Sequence, residues 1–344
     1  MPRRLTILLL GFAIAACDSS PAAPDADGTP EVDTSRIGSG ALLDHLNFLA
    51  ADSLYGRRAG SEYERRAAAY IRDLFVEVGL EPGASTYFQE FTIPVVVDGQ
   101  TGLVSQNVLG VLRGRGQLSG QWVILGAHYD HLGYEAGSDP VVVYNGADDN
   151  ASGTTLMLEM ARYLSRYYSD DTNGQPDRRS IMFQAYGAEE VGLVGSFYFC
   201  GQPTVAMDSV VAMINLDMVG RLRDNELGLI GLTSSPDWSA ALSGTNTESL
   251  SLVVVDGLLN RSDQYCFYQR EKPVLFLHTG LHAEYHTPLD DVELINEAGM
   301  VRVGNLAINL VLGLVHRSDR LAFAAEGPLP FDAAVADLRP ATVH

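Results

Sequence analysis

Five short stretches of this chain carry histidines and carboxylates in combinations that suit metal chemistry. WVILGAHYDHLG holds His128 and Asp130, NGADDNASG holds Asp148 and Asp149, and MFQAYGAEEVGLVGS holds Glu189 and Glu190. AMINLDMVGR holds Asp217, and LHTGLHAEYHTPLDD holds His282, Tyr285, His286 and Asp290. Imidazole nitrogen and carboxylate oxygen both bind zinc, and one carboxylate can bridge two ions through its two oxygens. No cysteine lies in these metal-suited positions, so a structural thiolate site is not indicated. Two ions roughly 3.5–4 Å apart can polarise a carbonyl and lower the pKa of a shared water, which is what amide hydrolysis needs. The attacking water also needs a base. Of two adjacent glutamates in a tight turn, one can hold metal while the other takes the proton.

Taken singly, each stretch has a plainer reading. Glu189 and Glu190 at a helix start can complement the helix dipole, and Asp148 beside Asp149 and Asn150 reads as turn and capping chemistry. An isolated His128 or His286 is more often a hydrogen-bonded structural residue, and Asp217 a loop anchor. Position reverses these readings. Strand-like runs occur at residues 86–97, 104–112, 121–126, 181–186, 210–216, 227–232, 250–255 and 273–278, and four of the five stretches place their carboxylates and histidines just beyond such a run. Helical spacing appears at 41–54, 62–78, 153–168, 190–199, 262–270 and 297–315, with Gly79 closing the second helix. This alternation predicts an α/β sheet covered on both faces. Ligands of such sheets gather outside the carboxyl ends of the strands, so stretches far apart in sequence can converge.

The segments LNFLAADSLYGRRAGSEYERRAAAYIRDLF, SQNVLG, GAHYDHLG, NGADDNASG, AEEVGLVGS, INLDMVGR and EYHTPLDD occur in the order found in the M28 family of zinc metallopeptidases, which the chain resembles over nearly all of residues 40–315. The resemblance implies a single α/β domain with a central mixed, mostly parallel sheet flanked by helices. It also implies two zinc ions, replaceable by cobalt or manganese, and an aminopeptidase acting on peptides with a free N-terminus. Carried over by position, it puts His128 and Asp217 on one zinc and Glu190 and His286 on the other. Asp148 becomes the bridge, with a cis bond after it, and Glu189 the general base. Asp130 becomes the carboxylate that orients the metal-binding histidine, and Tyr285 a donor to the developing oxyanion. Two positions depart from the family: Ser262-Asp263-Gln264 replaces the usual Ser-Asp-His, and Glu271-Lys272-Pro273 the usual Gly-Ile-Pro. Both line or support the substrate pocket in relatives. A carboxypeptidase, a single-zinc glutaminyl cyclase and a noncatalytic surface-binding protein are the rival readings.

Length and composition bound the rest. The 344 residues, 46% hydrophobic and 19% charged, suffice for one large core. A formal charge of −20 argues against a nucleic-acid partner, which would require a basic footprint. Arg3 and Arg4 precede an apolar run ending in Ile14-Ala15-Ala16-Cys17, the layout of an export signal. The end of the run resembles a bacterial lipobox, which makes Cys17 the expected site of a membrane lipid anchor in the cell envelope; the alternative is a simple small-residue cleavage site with an incidental cysteine and a secreted protein. Residues 18–37 are expected to form a flexible tether, 38–320 the peptidase domain and 321–344 a C-terminal extension. Cys200 and Cys266 remain, either as a disulfide or as two buried thiols.

Overall fold

The computed structural model describes residues 36–169 and 176–325. The expected export signal with Cys17, nearly all of the expected tether and most of the expected C-terminal extension lie outside these residues. The strands are β1 (Glu81–Pro82), β2 (Phe88–Thr92), β3 (Val104–Leu112), β4 (Trp122–His128), β5 (Gly133–Tyr134), β6 (Val143–Tyr144), β7 (Ser180–Tyr186), β8 (Val210–Leu216), β9 (Glu226–Ile230), β10 (Ser251–Val255) and β11 (Val274–His278). The α-helices are α1 (Ser39–Leu49), α2 (Glu62–Glu77), α3 (Gly153–Ser169), α4 (Val194–Gly201), α5 (Trp238–Leu242), α6 (Gln264–Gln269) and α7 (Glu297–His316). β5 and β6 form a small antiparallel pair, and the others build a nine-stranded sheet in the order β1-β3-β7-β4-β8-β11-β9-β10, with β2 also paired to β3.

In the middle of this sheet β7, β4, β8 and β11 are neighbours and mutually parallel. Their carboxyl ends therefore lie along one edge, with His128 paired to Tyr186 and Leu277 to Leu216 in register. All residues of β4, β7 and β8 are buried. Such strands carry no hydrophobic–polar alternation because helices cover both faces. Alternate side chains instead go to different cores. Val123, Leu125, Phe183 and Ile214 face one cluster with α1, α2, α3 and α7, while Ile124, Met182 and Met213 face another with Phe199 of α4 and Phe267 of α6. Helix α7, with a mean hydropathy of 1.6, is long and apolar enough to cross a membrane, but 78% of that stretch is buried inside the protein.

Local chemistry sets the element ends. Ser61 caps α2 by accepting from the Glu64 amide at 3.1 Å, and the Glu64 carboxylate reaches back to the Gly60 amide at 2.7 Å. Gly79, at φ +76°, ends that helix as its sequence position suggested. The helix expected over 41–54 stops at Leu49, and Tyr55, Gly56 and Arg57 then adopt left-handed conformations. That turn buries the Arg57 guanidinium, which donates to the carbonyls of Leu49, Tyr129 (2.8 Å), Asn145 (2.7 Å) and Gly146 (3.1 Å). One cation thereby joins the end of α1 to the loops after β4 and β6.

The domain begins earlier and runs later than the expected limits of 38 and 320. Ile37, assigned to the tether, packs into the main core beside Gly304, and Arg36 donates to Asn309. Leu321 joins the same core, and the Ala324 amide donates to the Ser234 carbonyl at 2.9 Å.

Cys200 and Cys266 form a disulfide that joins the end of α4 to α6 across a sequence separation of 66. Closing a loop of that length removes chain entropy from the unfolded state. Replacing both cysteines with serine is expected to lower unfolding stability by about 2–5 kcal/mol in urea denaturation.

Candidate metal centre

Each sequence stretch delivers its side chains to the shared edge of the central strands. His128 is the last residue of β4, Asp217 follows β8 directly, and Glu189 and Glu190 lie three and four residues beyond β7. The loop entering α3 brings the aspartate pair, and the loop after β11 brings Tyr285 and His286. Helix α4 starts only at Val194, so the glutamates occupy the preceding turn and not the first turn of a helix.

Asp149 stands at the centre. Its Oδ1 lies 3.2 Å from His128 Nε2, and its Oδ2 lies 2.9 Å from His286 Nε2. On the first side Asp217 Oδ1 is 3.5 Å from His128 Nε2, and donor atoms of His128, Glu189 and Asp217 all fall within 4.8 Å of one another. On the second side Glu190 Oε2 is 3.3 Å from His286 Nε2. The two oxygens of one carboxylate thus face two separate groups of donors.

Asp148, expected at this centre, is elsewhere. Its Oδ1 accepts from the Gly220 amide at 2.6 Å, and its Oδ2 lies 3.2 Å from His282 Nε2, itself 3.2 Å from Glu284 through Nδ1. The cis peptide expected after Asp148 falls instead between Asp149 and Asn150. Adjacent side chains of the pair point to different surroundings because the backbone is held on both sides. The Asp290 carboxylate accepts the amides of Asp148 and Asp149, each at 3.0 Å from Oδ2, while Asn150 accepts from Gly153 and donates to the Leu216 carbonyl.

Asp130 also differs from its expected contact. His128 Nδ1 donates to the Asp130 backbone carbonyl at 3.3 Å, and the Asp130 carboxylate is 3.8 Å from that nitrogen. The carboxylate accepts the Glu189 amide at 2.9 Å and the Glu190 amide at 3.2 Å, so it shapes the glutamate turn. Tyr285 is half-buried, with its ring stacked on His286 at a centroid distance of 3.8 Å. Sequence reasoning missed His131. It is buried, its Nδ1 is 2.7 Å from Glu190 Oε1, and its one available signal was its place in HYDH beside two recognised residues.

The electrostatics are those of crowded, dry acids. Burial alone would raise the Asp149 pKa, but contacts from His128 and His286 hold it well below the usual carboxylate range. Burial lifts Glu189 well above that range; Asp263, Glu190 and Asp217 add to the shift and His128 opposes it. His286 is pushed up to about 10, because its contacts with Asp149 and Glu190 outweigh the opposing effect of burial. Like charges brought out of water at this density call for a cation. His286 Nε2 is buried and makes no hydrogen bond despite its closeness to two carboxylates. Imidazole and carboxylate groups converging on one buried position fit zinc.

The profile of peptidase family M28 matches residues 107–311, more than half of the chain. This chain belongs to peptidase family M28. Among curated relatives, aminopeptidase YwaD of Bacillus subtilis is 29% identical over 232 residues, covering 64% of this M28 chain and 47% of the relative. The chain spans about half or less of the curated relatives it matches first. Among solved structures, BSAP, a zinc aminopeptidase from Bacillus subtilis, superposes with a TM-score of 0.66 at 18% identity, covering 84% of this chain and 97% of that one. Porphyromonas gingivalis glutaminyl cyclase gives 0.63 at 20% identity, over 80% and 98%. The M28 fold is thus common to a peptidase and a cyclase, and the side chains at the strand ends must carry any choice between them.

The departure at Gln264 has a structural explanation in this M28 chain. Gln264 is buried, accepts from Asn215 Nδ2 at 2.9 Å and donates to the Leu259 carbonyl at 2.9 Å. Its amide is spent on holding α6 to β8.

Proposed function

We propose that this chain is a two-zinc aminopeptidase, removing residues from the free amino end of peptides. The observation that carries this reading is the two-sided placement of Asp149. His128 and Asp217 would hold one ion, Glu190 and His286 the other, and Asp149 both; Asp148 is replaced in that role. The divalent ions supply the Lewis acidity that polarises a peptide carbonyl and makes a water acidic enough to attack it.

The chain's own residues do the rest. Glu189, whose burial raises its affinity for a proton, takes one from the attacking water and returns it to the departing amine. Asp130 keeps that carboxylate in place by binding the Glu189 and Glu190 amides. Tyr285, at the more open wall beside His286, would donate its hydroxyl to the carbonyl oxygen as negative charge gathers there. The surrounding carboxylates attract the substrate's ammonium group, which favours an aminopeptidase over an enzyme reading a carboxyl end. Donors on both sides of Asp149 disfavour a single-zinc cyclase. The protein is further proposed to work outside the cytoplasm, anchored to a membrane through lipidated Cys17; mass spectrometry of the mature N-terminus tests this, and an unmodified N-terminus at another position refutes it.

An aminoacyl p-nitroanilide series tests the activity directly. Substrates with a free amine are expected to be cleaved and their N-acetylated counterparts left intact. A chelator should abolish turnover, and added zinc should restore it. Equal cleavage of blocked substrates would refute the aminopeptidase reading.

A further inference from the structure

His131 is a buried imidazole that neither the proposed ligand set nor the proposed proton transfer uses. Its Nδ1 lies 2.7 Å from Glu190 Oε1, while the other oxygen, Oε2, lies 3.3 Å from His286 Nε2. The two oxygens of Glu190 therefore have separate partners. We propose that His131 is a positioning residue for Glu190: by fixing one carboxylate oxygen it presents the other to the ion shared with His286, and so sets how tightly that position holds metal. This rests on the two-ion reading above.

Donor atoms of His131, Asp149 and Glu190 lie within 4.8 Å of one another, so distance alone admits His131 as a ligand, and the tautomer is what favours a donor. An ionised carboxylate only accepts, so a hydrogen bond to Glu190 requires the hydrogen on His131 Nδ1 and leaves Nε2 a bare lone pair. Nε2 is buried without a hydrogen-bond partner. Were Nδ1 bound to metal, the hydrogen would move to Nε2 and become a buried, unpaired donor. Metal-binding histidines almost always give that second N–H to an acceptor, as His128 gives its Nδ1–H to the Asp130 carbonyl.

The imidazole itself is held firmly. Its backbone amide donates to the Arg57 carbonyl at 3.3 Å. Its ring lies against Gly146, where a Cβ would come within 2.5 Å of the ring carbons, so only glycine leaves room for it. Asp130 and His131, consecutive in sequence, thus grip the consecutive Glu189 and Glu190, the first by their backbone amides and the second by the Glu190 side chain.

Equilibrium zinc titration of the full-length apo-protein against a chelating indicator tests the assignment, with His131→Ala and His131→Asn compared to the parent. The parent is expected to take two ions. His131→Ala should weaken one of them by about 10–100-fold and leave the other within about threefold, the size of effect that loss of a partner to a ligand produces. His131→Asn retains an N–H near the position of Nδ1 and should stay within about threefold of the parent for both. Unchanged binding in His131→Ala, or equal weakening of both ions, overturns the proposal. So does a loss in His131→Asn as large as that in His131→Ala, since that would mark His131 as a ligand. A parent that takes one ion refutes the two-ion reading instead, and the Ala-against-Asn comparison on that ion still decides the role of His131.

Discussion

Asp149→Ala is expected to lose both zinc ions and to lower kcat/KM by about 10⁴-fold, equivalent to about 5 kcal/mol of transition-state stabilisation. The magnitude follows from its place. Its two oxygens face His128 on one side and His286 on the other, so one truncation removes an anionic donor from both groups. It also leaves His128, Asp217, Glu190 and His286 without the carboxylate between them. Asp148→Ala is the decisive comparison. That side chain contacts the Gly220 amide and His282, behind the centre, so its loss acts through loop position and should cost about 10–100-fold. Elemental analysis beside steady-state kinetics reads both variants. If Asp148→Ala empties the protein of zinc and Asp149→Ala does not, the bridge has been assigned to the wrong residue.

Glu189→Gln should reduce kcat by about 10²–10⁴-fold while zinc content stays at the parent level. Glutamine matches glutamate in size and leaves the Glu189 backbone amide on Asp130, so the turn is kept. Only the capacity to accept and return a proton is removed. Zinc content is an essential part of this test because donor atoms of Glu189 lie within 4.8 Å of those of His128 and Asp217. A glutamate acting as a ligand there would lose metal on amidation, and one acting as base would not. Retention of both metal and full activity would exclude Glu189 from proton transfer.

Much of the fold was legible because buried parallel strands are short continuous apolar runs. The run expected at 121–126 is β4 shifted by one residue at its start and two at its end, that at 210–216 is β8, and that at 273–278 is β11 within one residue at its start. The location of the centre followed from the same pattern, since neighbouring parallel strands must end along one edge. The register within the aspartate pair was not legible. Asp148 and Asp149 are chemically identical neighbours, and their orientation depends on a backbone held by Asp290, 142 residues from Asp148 in sequence.

Contacts beyond a strand end were equally hidden. Strand alternation would put His128 and Asp130 on one side and His131 on the other. β4 ends at His128, however, and the following turn brings the Asp130 carboxylate under the glutamate amides and His131 against Glu190. The break after α1 has a similar cause. Residues 41–54 carry helical spacing, but the chain turns to bury Arg57 among backbone carbonyls from three other segments, an outcome of tertiary structure that no local spacing encodes. Gln264 looked like a pocket residue only through the family resemblance, and here its partners, Asn215 and Leu259, are internal.

Anomalous diffraction at the zinc edge from crystals grown with zinc would locate the ions around Asp149. Two peaks are expected on opposite sides of the Asp149 carboxylate, one with His128 and Asp217 and the other with Glu190 and His286. A single peak, or a peak held between Asp148 and His282, would contradict this arrangement.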